Sequence, residues 1–330
     1  MTPTTTATSG TPALPRPLPR RPRLLPGLPV LWRGDGTVQI GLDPRYAVVV
    51  DRLSPDMVRV LRELDGRHTL DRLLDLGAQD GSAETRSELA GLLSALDGAG
   101  VLDRDSTGSP CAPQREPPPG LIADAGIWAL RTGRACADIL AERGRTTVHV
   151  HGSGRVADAL AAILRSAGLG TVRRIAKRSR SIPDFAVLIG SVVQDHPLRT
   201  TLMADGVPHL AVELHEVSAH IGPFVVPGRT SCLTCVDLRR SERDPAWGVV
   251  SSQLGTLSPP DELICAHGAA VVAAGQLLLM LSHSGGAAGL PPTWNGSLEL
   301  DPVRGKVFQR ALPPRQGCAC GGAEGGSAYM

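Results

Sequence analysis

Two close pairs of cysteines, Cys232-Leu-Thr-Cys235 and Cys318-Ala-Cys320, stand at either end of a long stretch of chain. If their four thiolates serve one ion, residues 236 to 317 must leave and return to a single point, which restricts the folds open to the carboxyl-terminal half. CxxC with a distant CxC supplies the donor number and softness that tetrahedral Zn²⁺ prefers. Every coordination position would then be filled by protein, so such an ion is structural rather than catalytic. The neighbouring Pro227-Gly228 and Gly317 suit the tight turns of a zinc knuckle. Two other readings stay open: a thioredoxin-like redox couple, which usually opens a βαβ unit, and a disulfide, which needs an exported setting. Cys111, Cys136 and Cys265 are isolated, and Cys265, within an apolar run, reads as a packing thiol rather than a nucleophile.

Residues 1–29 are rich in Thr, Pro and Arg and lack an apolar run of signal-peptide length. They read as a disordered or polyproline-like lead-in, which implies a cytoplasmic, reducing compartment. A length of 330 residues accommodates two modest domains, and with 42% apolar but only 3% aromatic residues the cores must be built from Leu, Val and Ala. The formal net charge of +2 offers no general reason to expect nucleic acid. The longest apolar stretch, Leu263 to Leu281, is marginal for a membrane span and is diluted by His267 and Gln276, so it reads as a buried helix.

Residues 30–105 read as an α+β unit. Apolar runs flank Gly34-Asp35-Gly36, a hairpin signal, and Tyr46 to Asp51, "YAVVVD", gives a third strand. A helix follows with Ser54 as N-cap, Pro55 in the first turn and Gly66 as stop, and two more helical phrases reach Leu102. Three strands and three short helices suggest a winged-helix-like domain. Residues 106–120 form a Pro-rich linker, and the second domain, 121–330, opens with one helix over Ala123 to Gly144. A β-branched strand then runs into Gly152-Ser-Gly154-Arg-Val-Ala157, a helix and another strand, which is a βαβ unit. "FAVLIGS" and "HLAVELH" extend a mostly parallel sheet, while "GPFVVPG" and "GSLELDPVRGKVFQRAL" read as antiparallel additions.

Gly152, Gly154 and Ala157 match the G-x-G-x-x-[GA] loop that lets backbone approach a phosphate at a helix amino end, and they are the candidate nucleotide-binding residues. The same turn also serves simply to pack a helix closely on a sheet. About twenty residues on, where a ribose-binding acid would fall, the chain carries Arg173, Arg174, Lys177, Arg178 and Arg180 instead. Basic residues there leave an NADP-linked reductase open as one reading.

The glycine loop, the phrase "GVPHLAVELHEVSAHIGPFVVPGRTSCLTCVDL" and the terminal CxC together resemble the ThiF-like, ubiquitin-activating-enzyme-like superfamily, over roughly residues 146 to 320. The N-terminal unit, the linker and "CVDLRRSERDPAW" are similar to the leader-peptide-binding, cyclodehydratase-type members. That resemblance implies a Rossmann-like domain with a zinc knuckle of Cys232, Cys235, Cys318 and Cys320, and an N-terminal peptide clamp. It also implies a ribosomal precursor peptide as ligand, a YcaO-type enzyme as partner, and a homodimer through the long helix. Adenylating members hold ATP and magnesium with acids after two of the strands. Here the first place is basic around Arg174, the second reads Gly190-Ser191, and Asp195 lies beyond the strand end. Loss of adenylation is therefore expected, so ATP is a doubtful cofactor, and the function implied is a non-catalytic adaptor for thiazoline or oxazoline formation. The rival is an ATP-dependent adenylyltransferase acting on a peptide or protein carboxyl terminus.

A clamp of this kind adds an extended peptide to a sheet edge. The candidate edge is Tyr46 to Asp51, with Ala47, Val49 and Asp51 on one face and Leu89, on the helix from Glu84 to Leu96, in the other wall. A packing module or a winged-helix DNA reader is the competing reading of this unit. Arg59, Arg62, Arg67 and Arg72 are interleaved with Asp56, Glu63, Asp65, Asp71 and Asp75, so no phosphate-tracking stripe forms. Asp237 to Trp247 is either a partner contact or a solvated, charge-paired helix end.

Overall fold

The computed structural model describes residues 17–34, 36–78, 82–104, 117–175, 179, 181–256, 261–283 and 289–321. The chain divides into two compact units, 1–114 and 115–330.

In the first unit, β1 (Val30–Gly34), β2 (Thr37–Ile40) and β3 (Val48–Val50) form an antiparallel sheet in that order. Strand alternation puts Val38 and Ile40 on the inner face, fully buried, opposite Val50 and Val48. Three helices follow: α1 (Pro55–Arg62), α2 (Leu70–Gly77) and α3 (Ala83–Gly98). Each begins on a hydroxyl, with Ser54, Thr69 and Ser82 accepting from the amides of Met57, Arg72 and Thr85. Such caps are worth about 1 kcal/mol each. The helices meet at Gly77, where a Cβ would lie 2.3 Å from Leu89 Cδ1 and 2.8 Å from Val60 Cγ2.

The expected lead-in does not extend to residue 29. Leu25 is buried, Leu24 N donates to Leu64 O, Leu25 N to Val101 O, and Asp103 N to Arg23 O. Arg23 and Leu24 thus form isolated antiparallel bridges to Asp65 and Leu102, because Leu24 and Leu25 supply core surface that the surrounding prolines and arginines obscure in sequence. The charges of the helices are answered locally: Arg59 pairs with Asp56 at 3.2 Å, Arg67 with Asp65 at 3.4 Å, and Arg62 lies over the Trp32 ring at 5.0 Å.

The second unit opens with α4 (Pro119–Thr132) and α5 (Cys136–Arg145) rather than one helix. Gly133 ends α4 in the left-handed region, φ +67°, and its amide donates to Ala129 O. Next come β4 (Thr147–His151), α6 (Arg155–Ser166), β5 (Thr171–Ile175) and β6 (Phe185–Ile189). A 3₁₀ turn (Gly190–Gln194), α7 (His196–Ala204), β7 (His209–Leu214) and β8 (Ala219–Val225) follow. Then α8 (Leu233–Arg243), α9 (Trp247–Leu254) and α10 (Leu263–His283) precede β9 (Gly296–Asp301) and β10 (Lys306–Ala311). The seven-stranded sheet runs β10-β9-β8-β7-β6-β4-β5, with β5, β4, β6 and β7 parallel and the rest antiparallel.

By length and composition α10, at 21 residues, is apolar enough to cross a membrane. Here Ala266, Ala269, Ala270, Ala273 and Ala274 form a buried face, and the helix packs on α6, β7, β8 and β9. Small residues let two helices approach closely, and α6 meets α10 with its own buried Ala157, Leu160 and Ala161.

Candidate functional site

The two cysteine pairs meet at the end of β8. Cys232 Sγ lies 3.9 Å from Cys235 Sγ and 3.7 Å from Cys318 Sγ, and Cys235 Sγ lies 3.6 Å from Cys320 Sγ. All four sulfurs fall within 4.8 Å of one another. A tetrahedron of Zn–S bonds near 2.3 Å requires sulfurs about 3.8 Å apart, so the cluster fits a metal ion of that kind.

Local sequence explains the convergence. Thr230 Oγ1 accepts from Val226 N at 2.7 Å and donates to Phe224 O, closing the Pro-Gly turn. Cys232 then caps α8, and Cys235 sits in its first turn, where the helix end favours a thiolate. Asn295 ties the other arm in: its side chain accepts from Ser231 N at 2.7 Å, and its carbonyl accepts from Leu312 N beyond β10. Burial pushes the Cys232 and Cys318 thiols upward. Burial acts the same way on Cys235, but hydrogen bonds from the Arg315 amide and the neighbouring thiols outweigh it and hold that thiol below its ordinary value. Such a nest of thiols becomes four thiolates only with a cation at its centre. Beside it a cavity of about 220 Å³ is lined by His196, Arg199, Met203 and His209.

The glycine loop forms as a strand-to-helix turn, and each residue of the pattern has a packing reason. Gly152 has φ +122°, and a Cβ there would lie 2.8 Å from Ile189 O on β6. Gly154, φ +87°, caps α6, and Ala157 is fully buried. The first amide of α6, Arg155 N, donates to both Asp261 carboxylate oxygens at 3.2 Å. Of the basic run that begins within β5, Arg174 pairs with Asp158, while Lys177, Arg178 and Arg180 lie outside the described residues, as does Cys111.

At the carboxyl ends of the other strands, Asp195 caps α7 by accepting from Leu198 N at 2.9 Å. Glu213, closing β7, holds Arg240 at 2.7 Å and accepts from Gln194 at 3.1 Å. Burial pushes Glu213 up, but the Arg240 charge and hydrogen bonds bring it below its ordinary value. His151, at the end of β4, is lowered to about 4, by burial first and then by the neighbouring His149.

In the first unit β3 is an edge strand with one side unpaired among the described residues. Val49 lies on the outer face and is 51% exposed, with Ala47 and Asp51 in the same alternation on either side. Leu89 does not share a groove with them. It is fully buried between α1, α2 and α3, because its place on α3 faces Gly77 and Val60 rather than solvent.

Sequence reasoning missed the polar network around α8. Asp237 binds Arg199 at 2.6 Å and accepts from the Trp247 indole, Arg240 lies over that ring at 4.6 Å, and Glu242 pairs with Arg315 on the cysteine arm. The charges of Asp237 to Trp247 are thus largely spent inside the unit. Asp261 was equally invisible as a partner of the glycine loop, although Asp261-Glu262 before an apolar run is a legible helix-start signal.

Fold and cysteine cluster together define an α/β protein with a mixed seven-stranded sheet and four cysteines that could hold a metal ion. Among solved structures the chain is similar to the heterocyclase TruD, at 17% identity and TM-score 0.68 over 92% of this chain and 43% of that one. It is similar also to a heterocyclase in complex with substrate and cofactor, at 18% identity and TM-score 0.66 over 92% of this chain and 40% of that one. E. coli MccB with AMPCPP and MccA matches at 13% identity and TM-score 0.61, over 91% of this chain and 99% of that one. The chain therefore spans less than half the heterocyclases' length. No protein-family model matches it, and no curated protein does.

Proposed function

We propose that this chain is a cytoplasmic, leader-peptide-binding adaptor that brings a ribosomal precursor peptide to a separate YcaO-type cyclodehydratase. The N-terminal unit serves as a winged-helix-like clamp taking the peptide along the β3 edge. The second unit, closed by a structural zinc on Cys232, Cys235, Cys318 and Cys320, is the ThiF-like body. What carries the non-adenylating part is the state of the acids at the sheet's carboxyl edge. Asp195 caps a helix and Glu213 is bound by Arg240, which leaves neither to hold magnesium on a triphosphate. The outward Leu263, Ile264 and Val271 of α10 supply a surface for a homodimer.

The full chain, used as bait in its native cell, is expected to retain a ribosomal precursor peptide and a YcaO-type enzyme. Fluorescence polarisation with that peptide should then show that Val49→Asp weakens binding at least about tenfold, as expected when a charge enters the pocket side of an added strand. Exchange of pyrophosphate into ATP by the purified chain in the presence of the peptide would replace this reading with the adenylyltransferase one.

A further inference from the structure

A carboxylate from elsewhere in the chain sits where the glycine loop would receive a phosphate. Gly152 and Gly154 hold the loop at positive φ, and the Arg155 amide leads out of the amino end of α6, a helix of 12 residues. That geometry favours an anion through a free N–H and the partial positive charge of the helix end. Both oxygens of Asp261 lie 3.2 Å from that amide. The Arg155 guanidinium bonds the Asp261 carbonyl oxygen, with Nη1 3.8 Å from Oδ2. Oδ2 comes so near the second glycine that a Cβ on Gly154 would stand 3.3 Å from it. The next residue, Glu262, accepts from Ile264 N at 3.0 Å and Cys265 N at 2.7 Å. Two successive acids therefore cap two helices, α10 by Glu262 and α6 by Asp261, and the packing of α10 on α6 holds the second acid in place.

We infer that Asp261 is a tethered stand-in for phosphate that keeps the glycine loop closed to nucleotides. The inference rests on the non-adenylating reading and gives the fate of the old phosphate cradle. Phosphate and carboxylate ask for the same amide and the same helix end, so they exclude one another. A tethered group competes at an effective concentration on the order of millimolar or above. If the carboxylate is seated ~90% of the time, a competing anion loses about tenfold in apparent affinity. A nucleotide that displaced it would also leave a carboxylate beside its phosphates.

The test is calorimetric titration of the full chain, Asp261→Ala and Asp261→Asn with inorganic pyrophosphate and with ATP, at constant ionic strength. Wild type should give no saturable binding, and the variants should bind pyrophosphate at least about tenfold more tightly. Folded variants that gain nothing would overturn the role of Asp261 and leave the adaptor intact. Wild type that binds ATP no more weakly than the variants would overturn the closure, and pyrophosphate exchange on top of it would remove the adaptor as well. Should neither variant fold, hydrogen exchange at the Arg155 amide of the wild type decides. A protected amide unchanged by ATP supports the closure, and an open or ATP-responsive one refutes it.

Discussion

Cys232 and Cys235 owe their chemistry to the start of α8, where the helix end draws negative charge while burial resists it. A divalent cation resolves that conflict. Purified chain should carry one zinc, and Cys235→Ser should lose it and unfold the second unit at a markedly lower temperature. The loss should be at least several kcal/mol, since structural zinc in small domains is worth roughly 10–16 kcal/mol. Elemental analysis with thermal melts checks both, and wild type without metal would refute the centre. His151 offers a pH test. Its folded value, about 4, lies below the 6.5 of a free imidazole, so as pH falls the unfolded chain takes up the proton first. Its contribution is complete above pH 6.5 and is lost as pH falls toward 4, at up to about 1.4 kcal/mol per pH unit. Urea unfolding at several pH values should show a shallower slope in His151→Gln than in wild type across that window.

At the scale of elements, the N-terminal helices were legible because their starts are local chemistry: Ser54, Thr69 and Ser82 each cap from the residue before the helix. The break at Gly133 was not, since a glycine within a helical pattern is tolerated about as readily as it is used to stop one. Gly77 belongs to the same class. It ends α2, and it is also the point where α1 and α3 close on that helix, which no local pattern shows. Gly77→Ala would drive a methyl into Leu89 and Val60 and should cost about 1–3 kcal/mol by urea unfolding. A neutral substitution would mean that the helices do not pack as described. Strand alternation on β3 was readable, but the burial of Leu89 depends on which face of α3 meets its neighbours.

For the whole molecule, each of the two units has its own buried core, and the cysteine cluster belongs to one of them alone. Heating should give two transitions. A strong chelator should lower the one belonging to residues 115–330 and leave the other within about 2 °C, as calorimetry can resolve. A single transition shifted as a whole would refute that independence. The segment Asp237 to Trp247 shows why interaction surfaces are hard to read from charge. In sequence its charges read either as a partner contact or as pairs within the helix end, yet Arg199 of α7, Glu213 of β7 and Arg315 beyond β10 come to meet them.

Most of the strands, the βαβ core and the meeting of the distant CxxC and CxC motifs could be drawn from the chain itself. Those features follow from local spacing and from the donor preferences of one ion. Only the folded chain decided that residues 17–29 join a core, that Leu89 is buried, and that the glycine loop already holds a carboxylate. Each of these depends on a partner far along the chain, Arg155 and Asp261 most plainly, and no local pattern carries the position of the other end.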